Sequence, residues 1–182
     1  TPVTARRTGV GEYVYQLLRH GMGRGGDITW KGWSSGRFRP LPLGLARGIH
    51  LPVPTRLLHG LWRWTGHPAP EGLLGGADVV HGTNYVLPPL RRAQGILSIY
   101  DLAFLVNPAW SSPRIRRHFA RDIVADARRA HAVVTCSTYS RGEITRWCGV
   151  PEERVHVIHG AADPMFTPAE TVEARRAFAT QY

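Results

Sequence analysis

Two kinds of segment alternate along this chain. Short, nearly uninterrupted apolar runs occupy Asp78–Gly82, Gly95–Tyr100, His131–Cys136 and Arg154–His159. Runs of this length, rich in Val and Ile, predict strands buried on both faces of a parallel sheet. Between them, apolar positions recur at helical spacing. Gly9–His20 sets Val10, Val14, Leu17 and Leu18 on one face, and Gly21 is expected to end the helix. PTRLLHGLWRW predicts a second helix with Pro54 at its first position. Ser111-Ser112-Pro113 opens a long helix through Arg129, with Ile115, Phe119, Ile123, Val124 and Ala127 on one side. Ser137 caps a helix that runs to Trp147 and is closed by Gly149.

The remaining stretches are less regular. Asp27–Lys31 reads as a short strand, and residues 32–54, rich in Gly, Pro and Arg, read as irregular apart from a single helical turn. Thr1–Ala5 reads as the tail of a first strand begun upstream. The helix expected at Pro168–Gln181 follows a PMFTP linker and has nothing within the chain to pack on. Strand–helix–strand alternation with crossovers of this length predicts an α/β fold: a Rossmann-like parallel sheet with helices on both faces.

Composition narrows the function classes. The chain has 182 residues, 43% of them hydrophobic and 20% charged. That suits one soluble domain with a real core, and no apolar run approaches the roughly 18 residues of a membrane span. The formal charge is +10, yet of the 23 basic residues only Lys31 is not Arg. The Arg doublets at 6–7, 91–92, 116–117, 128–129 and 175–176 are scattered, so no nucleic-acid-binding stripe forms. Anionic lipid headgroups or a nucleotide diphosphate suit the charge better. Cys136 and Cys148 have neither metal nor disulfide spacing and read as buried or half-buried thiols in a reducing compartment, the cytoplasm by default. No Asp-x-Asp pair appears, and no metal or other cofactor is expected.

Candidate chemistry gathers where the apolar runs end in polar residues. In open α/β sheets, ligands bind beyond the carboxyl ends of the strands. That places His81, Asn84, Tyr85, Tyr100, Asp101 and Ser137 along one rim. His81 is either a ligand or a satisfied strand-end residue. Asp101 either orients a ligand hydroxyl or caps the following turn. Ser137 either binds an anion at a helix start or is an ordinary N-cap, and Arg141 either pairs with that anion or faces solvent. Gly9, Val10 and Gly11 lie where a first strand turns into the first helix. The glycines either let backbone N–H groups approach a phosphate or merely relieve a tight turn. They also form half of a GxGxxG fingerprint, but Val14 takes the third glycine position.

Taken in order, TGVGEYVYQLL, VVHGTNYVLPP, SIYDLAFLVNP, ARRAHAVVTCSTYSRGEI and GVPEERVHVIHGAADPMF resemble the N-terminal domain of glycosyltransferase family 4. The resemblance implies one half of a GT-B architecture: two Rossmann-like domains across a cleft, moving a sugar from a nucleotide-diphosphate donor to a carbohydrate or lipid-linked acceptor with retention. Residues 1–163 would be the acceptor-side domain. Residues 164–182 would be the linker and first helix leading to a donor-binding domain, whose Arg-Lys pair and Glu-x7-Glu motif have no equivalent here.

By the same resemblance, the glycine loop at 9–11 lies against donor diphosphate or acceptor. His81, Asn84 and Tyr85 face the acceptor, and Ser137 and Arg141 face the donor anion. Tyr100-Asp101 stands where the family usually has His-Asp next to the reacting sugar. Tyrosine, with a pKa near 10, is a poor base at neutral pH, although leaving-group phosphate can accept the acceptor's proton in such transfers. The fragment alone is expected not to turn over.

Two other classes compete. One is a non-catalytic half-enzyme that acts as a binding module. The other is a Rossmann oxidoreductase, disfavoured because Asp27 precedes its strand instead of ending it. The helix after Pro54 interleaves Leu57, Leu58, Leu61, Trp62 and Trp64 with Arg56, His59 and Arg63. It is either buried or lies on an anionic bilayer, which would make the protein peripheral at the inner membrane face.

Overall fold

The four apolar runs form one parallel sheet. β3 (Val79–Gly82), β4 (Gln94–Ser98), β5 (Ala132–Thr135) and β6 (Val155–Val157) lie side by side in chain order. A second, two-stranded parallel sheet joins β1 (Lys31–Ser35) to β2 (Arg47–Leu51), with Trp33 opposite Ile49. These assignments come from a computed structural model that describes residues 8–24, 26–36, 45–163, 166 and 171–181. The strand tail expected at Thr1–Ala5 lies outside the described residues.

Helices flank the sheets: α1 (Gly9–Gly23), α2 (Thr55–Thr65), α3 (Pro70–Leu73), α4 (Ala103–Val106), α5 (Pro113–Phe119), α6 (Ile123–Arg129) and α7 (Thr138–Cys148); a last helix, α8 (Val172–Gln181), is exposed wherever it is described. The core is built from the strands and the helices that cross over them. Leu97, Ile99 and Val133 have no exposed surface, nor do Ile123, Ala127, Ile144 and Cys148 of α6 and α7. Full burial of such side chains stabilises by about 1.5–3 kcal/mol each.

Several boundaries follow the capping chemistry. Ser137 Oγ accepts the Ser140 N–H at 3.1 Å, and Gly149 ends α7 in the left-handed region at φ 66°. Thr8 caps α1 by accepting the Gly11 N–H. Other expectations are corrected. Gly21 does not end α1. It sits inside the helix, which runs on to Gly23, and Trp30 packs where a Cβ would project, 2.7 Å from the nearest ring carbon. Pro54 is the N-cap of α2, not its first residue.

The long helix through Arg129 is two helices. Phe119 turns α5 onto Tyr85, with ring centroids 5.0 Å apart, while Ile123 and Asp126 seat α6 in the core. One straight helix cannot serve both directions. The stretch read as irregular holds β1 and β2, held by Ser34 Oγ and His50 Nδ1 at 2.9 Å as well as by the ladder. The first strand begins at Lys31, where the Asp27 strand was expected to end.

Side chains also tie distant backbone together. Buried Glu71 accepts three N–H groups: Oε1 from Arg91 and Arg92 at 2.6 and 2.7 Å, and Oε2 from Ala93 at 3.1 Å. Asp126 accepts the Leu87 N–H at 3.0 Å and pairs with Arg129 at 2.8 Å. Arg129 in turn donates to the carbonyls of Leu87 and Pro88. Both clamps fix the segment that leads from β3 into β4.

Candidate functional site

The site grows from Tyr100, two residues past the end of β4. Its hydroxyl donates to the Thr83 carbonyl at 2.7 Å, joining the ends of two neighbouring strands. Its backbone carbonyl accepts from Ser140 Oγ at 3.0 Å and Cys136 Sγ at 3.4 Å, which brings in the start of α7. Tyr13 of α1 meets the Tyr100 ring edge-on at 5.5 Å, and Tyr85 does so at 5.7 Å. Tyr100 therefore gathers the carboxyl ends of β3, β4 and β5 with the beginnings of α1 and α7. Both helices point their positive ends toward this rim. Burial, and then the nearby Tyr13 phenol, push the Tyr100 phenol well above its ordinary range, so it stays neutral. Its proton is committed to Thr83, and its oxygen can still accept a hydrogen bond.

Asp101 is exposed and already does two things. Oδ1 accepts the Ala103 N–H at 2.9 Å, which starts α4, and Oδ2 accepts the Tyr85 hydroxyl at 3.3 Å. An ionised carboxylate has about four acceptor positions, so room remains for a ligand hydroxyl. Tyr85 sits at φ 59°, the only described non-glycine residue with positive φ. A bulky residue there costs of order 1–3 kcal/mol. Contacts with Tyr100, Phe104 and Phe119 over-determine its position. Burial first, then the Asp101 charge, raises its phenol far above the usual range.

The other candidates divide. His81 shares a 2.8 Å hydrogen bond with Ser98 across β3 and β4, and burial lowers its pKa below 6.5. It is neutral at pH 7 and has a structural partner. Asn84 lines a cavity of about 1060 Å³ next to His81. Gly9, Val10 and Gly11 are not in a loop but form the first turn of α1. Gly9 and its surroundings are open, while Gly11 is buried. The Ser137 hydroxyl is committed to the α7 cap and to Ser140 Oγ at 3.0 Å. Arg141 is partly exposed and pairs with Glu152 at 3.1 Å. Cys136 is exposed, contrary to expectation, and Cys148 is buried; both are free thiols.

Sequence reasoning missed Tyr13 and Thr83. Tyr13 directly precedes Val14 on the inward side of α1, so its helical position was a usable signal. Thr83 contributes through its carbonyl, which leaves no trace in residue type. Among the described residues no three His, Cys, Asp or Glu side chains come together as a metal site. None of the described helices is long and apolar enough to cross a membrane.

Comparison with curated proteins and with solved structures returned no match. The family model described as Glycosyltransferase Family 4 matches residues 7–166. That span contains both sheets and every residue of the Tyr100 rim, and the chain belongs to glycosyltransferase family 4.

Proposed function

We propose that this chain forms the acceptor-side wall of a retaining sugar-transfer site, taking a hexosyl group from a nucleotide-diphosphate sugar to a carbohydrate or lipid-linked acceptor. The observation that carries the reading is the convergence of Tyr13, Tyr85, Tyr100 and Asp101 at the carboxyl rim. Aromatic rings give a sugar flat apolar surface, and the spare Asp101 acceptor positions orient its hydroxyls. Tyr100 positions the rim and accepts a hydrogen bond; it does not abstract a proton. The open first turn of α1 offers N–H groups to a phosphate at Gly9 and Val10. Residues 1–163 make up this domain, and residues 164–182 are the linker and first helix that lead to the donor-binding half.

Saturation-transfer NMR with a panel of acceptor glycans tests the reading. Weak binding is expected, lowered about 10–100-fold by Asp101→Ala, the scale of one lost hydrogen bond to a charged group. Asp101→Asn, which keeps an acceptor for Ala103, retains more of it. Glycan binding indifferent to both variants sinks it. The commitment of the Tyr100 proton to Thr83 favours a second reading, a binding module without catalysis. Under that reading, turnover stays absent even when a donor-binding half is joined to the chain.

The partner side includes an anionic membrane surface. On α2, Leu58 and Trp62 are buried, while Leu57, Leu61 and Trp64 form an exposed stripe. Trp64 is 81% exposed, and Arg56 lies beside the stripe. A stripe flanked by Arg suits shallow insertion among anionic headgroups. Co-sedimentation with vesicles containing phosphatidylglycerol is expected to fall at least ten-fold in the Leu57→Ser, Leu61→Ser, Trp64→Ser triple variant. Equal binding to neutral phosphatidylcholine vesicles removes the idea.

A further inference from the structure

The amino ends of β1 to β4, away from the Tyr100 rim, carry charge that the sugar-transfer site does not use. Lys31 and Arg47 open β1 and β2 and stand directly opposite each other in the ladder. Like charges placed in that way destabilise a sheet. Both side chains reach the turn at Gly75 and Gly76. Lys31 Nζ donates to the Gly76 carbonyl at 2.8 Å, and Arg47 Nη1 lies 2.9 Å from the point where a Cβ on Gly75 would sit. Arg91 Nη1 lies 4.0 Å from the corresponding point on Gly72. Arg91 and Arg92 line an open groove of about 910 Å³ together with Gly72, Gly76, Asp78 and Gln94. Four cations that the sequence scatters are thus gathered around one short loop.

Their surroundings leave these charges uncompensated. Among the described residues none of the four forms an ion pair, and the guanidinium groups of Arg47, Arg91 and Arg92 have no hydrogen-bond partner. Lys31 has used one of its three N–H donors. Glu71 lies in the groove wall, but its carboxylate is spent on the amides of Arg91, Arg92 and Ala93. That leaves exposed Asp78 as the one acidic side chain of the groove with its acceptor positions open. The N–H groups of Gly75 and Gly76 are spent on the Gly72 and Glu71 carbonyls, so an occupant must be held by side chains. We propose that this groove binds a phosphate group carrying two negative charges, a phosphomonoester or a diphosphate, held by Arg91, Arg92, Arg47 and Lys31. Guanidinium forks match phosphate oxygens two at a time, and four cations against one open carboxylate call for more than a single negative charge. The bound anion also relieves the repulsion between Lys31 and Arg47. Because Glu71 already fixes the backbone of Arg91 and Arg92, less freedom is lost on binding. The groove lies at the other end of the strands from Asp101, and the proposal is independent of the sugar-transfer reading.

Titration of the chain with inorganic pyrophosphate, followed through the arginine Nε–H signals by NMR, tests it. Saturable shifts are expected at Arg47, Arg91 and Arg92. Arg128 and Arg154, whose guanidinium groups are bonded to backbone carbonyls, should stay in place. The double variant Arg91→Gln, Arg92→Gln is expected to bind at least ten-fold more weakly, the scale of lost hydrogen bonds to a charged group. It keeps the backbone donors to Glu71, so the fold is retained. Asp78→Asn should tighten binding roughly two- to five-fold by removing a repelling charge, an effect that a purely structural role would not give. A second arm separates the two sources of such a phosphate. Co-sedimentation with phosphatidylcholine vesicles, with and without phosphatidic acid, is run in the Leu57→Ser, Leu61→Ser, Trp64→Ser background so that α2 does not contribute. Retention on phosphatidic acid that pyrophosphate displaces identifies a lipid headgroup, and saturable pyrophosphate binding without that retention identifies a free phosphate compound. The absence of saturable shifts, shifts spread evenly over all arginines, or an affinity unchanged in the double variant overturns the proposal.

Discussion

Glu71→Ala is expected to destabilise the protein by about 3–5 kcal/mol, the range for removing one partner of a buried charged interaction. Glu71 is 5% exposed, and its carboxylate accepts the N–H groups of three consecutive residues, Arg91, Arg92 and Ala93. Alanine leaves all three without their acceptor in a place water reaches poorly. For a chain of this size the loss lowers Tm by roughly 10 °C or more. Glu71→Gln keeps the volume and one acceptor oxygen but turns an amide toward an N–H, so an intermediate loss is expected. Urea unfolding followed by circular dichroism reads both. A loss below about 1 kcal/mol for alanine would show that the three bonds do not anchor the approach to β4.

The second large effect is at Gly82, the last residue of β3. A Cβ there would lie 2.3 Å from the Val86 carbonyl oxygen and 3.1 Å from the Leu87 Cα. Both obstacles are backbone, so no side-chain rotation relieves them. Gly82→Ala should cost about 3 kcal/mol, the upper range for overpacking. It should also displace residues 83–86, and with them the Thr83 carbonyl that holds Tyr100 and the Tyr85 ring over Asp101. Stability and glycan binding then fall together. Gly142→Ala is the control: its Cβ meets nothing within 4 Å in mid-α7, and a gain of about 0.5–1 kcal/mol is expected. Urea midpoints for the two variants moving in the same direction would contradict the packing described here.

What the chain's pattern revealed, and what it hid, follows from the range of the interactions. The strands of the four-stranded sheet were legible to within two residues at each end because burial on both faces leaves continuous apolar runs. The ends of α7 were legible because Ser137 and Gly149 act on their immediate neighbours. β1 and β2 were not, since KGWSS and RGIHL carry Gly, Ser and Arg that disfavour strands locally; their pairing with each other overrides that preference. The break before α6 was hidden because the helical period runs through it, and only the separate destinations of Phe119 and Ile123 split it. At the rim, the strand-end rule put Tyr100, Asp101 and Tyr85 side by side, where the structure also has them. It did not find that Arg141 turns to Glu152 or that Tyr100 spends its proton on Thr83, since both are choices among distant partners.

The clamps described for Glu71 and Asp126 bear on how the molecule assembles. Asp126 secures a backbone amide 39 positions earlier, and Arg129 reaches a carbonyl 42 positions away. Neither contact rewards the chain until a long loop has closed, and neighbouring strands β4 and β5 are separated by a comparable span. Such high contact order slows refolding. During synthesis, β3 and β4 emerge well before α6 arrives to fasten them. The nascent chain therefore passes through a stage with open strand edges and an unlatched rim, the stage at which chaperone capture and aggregation compete.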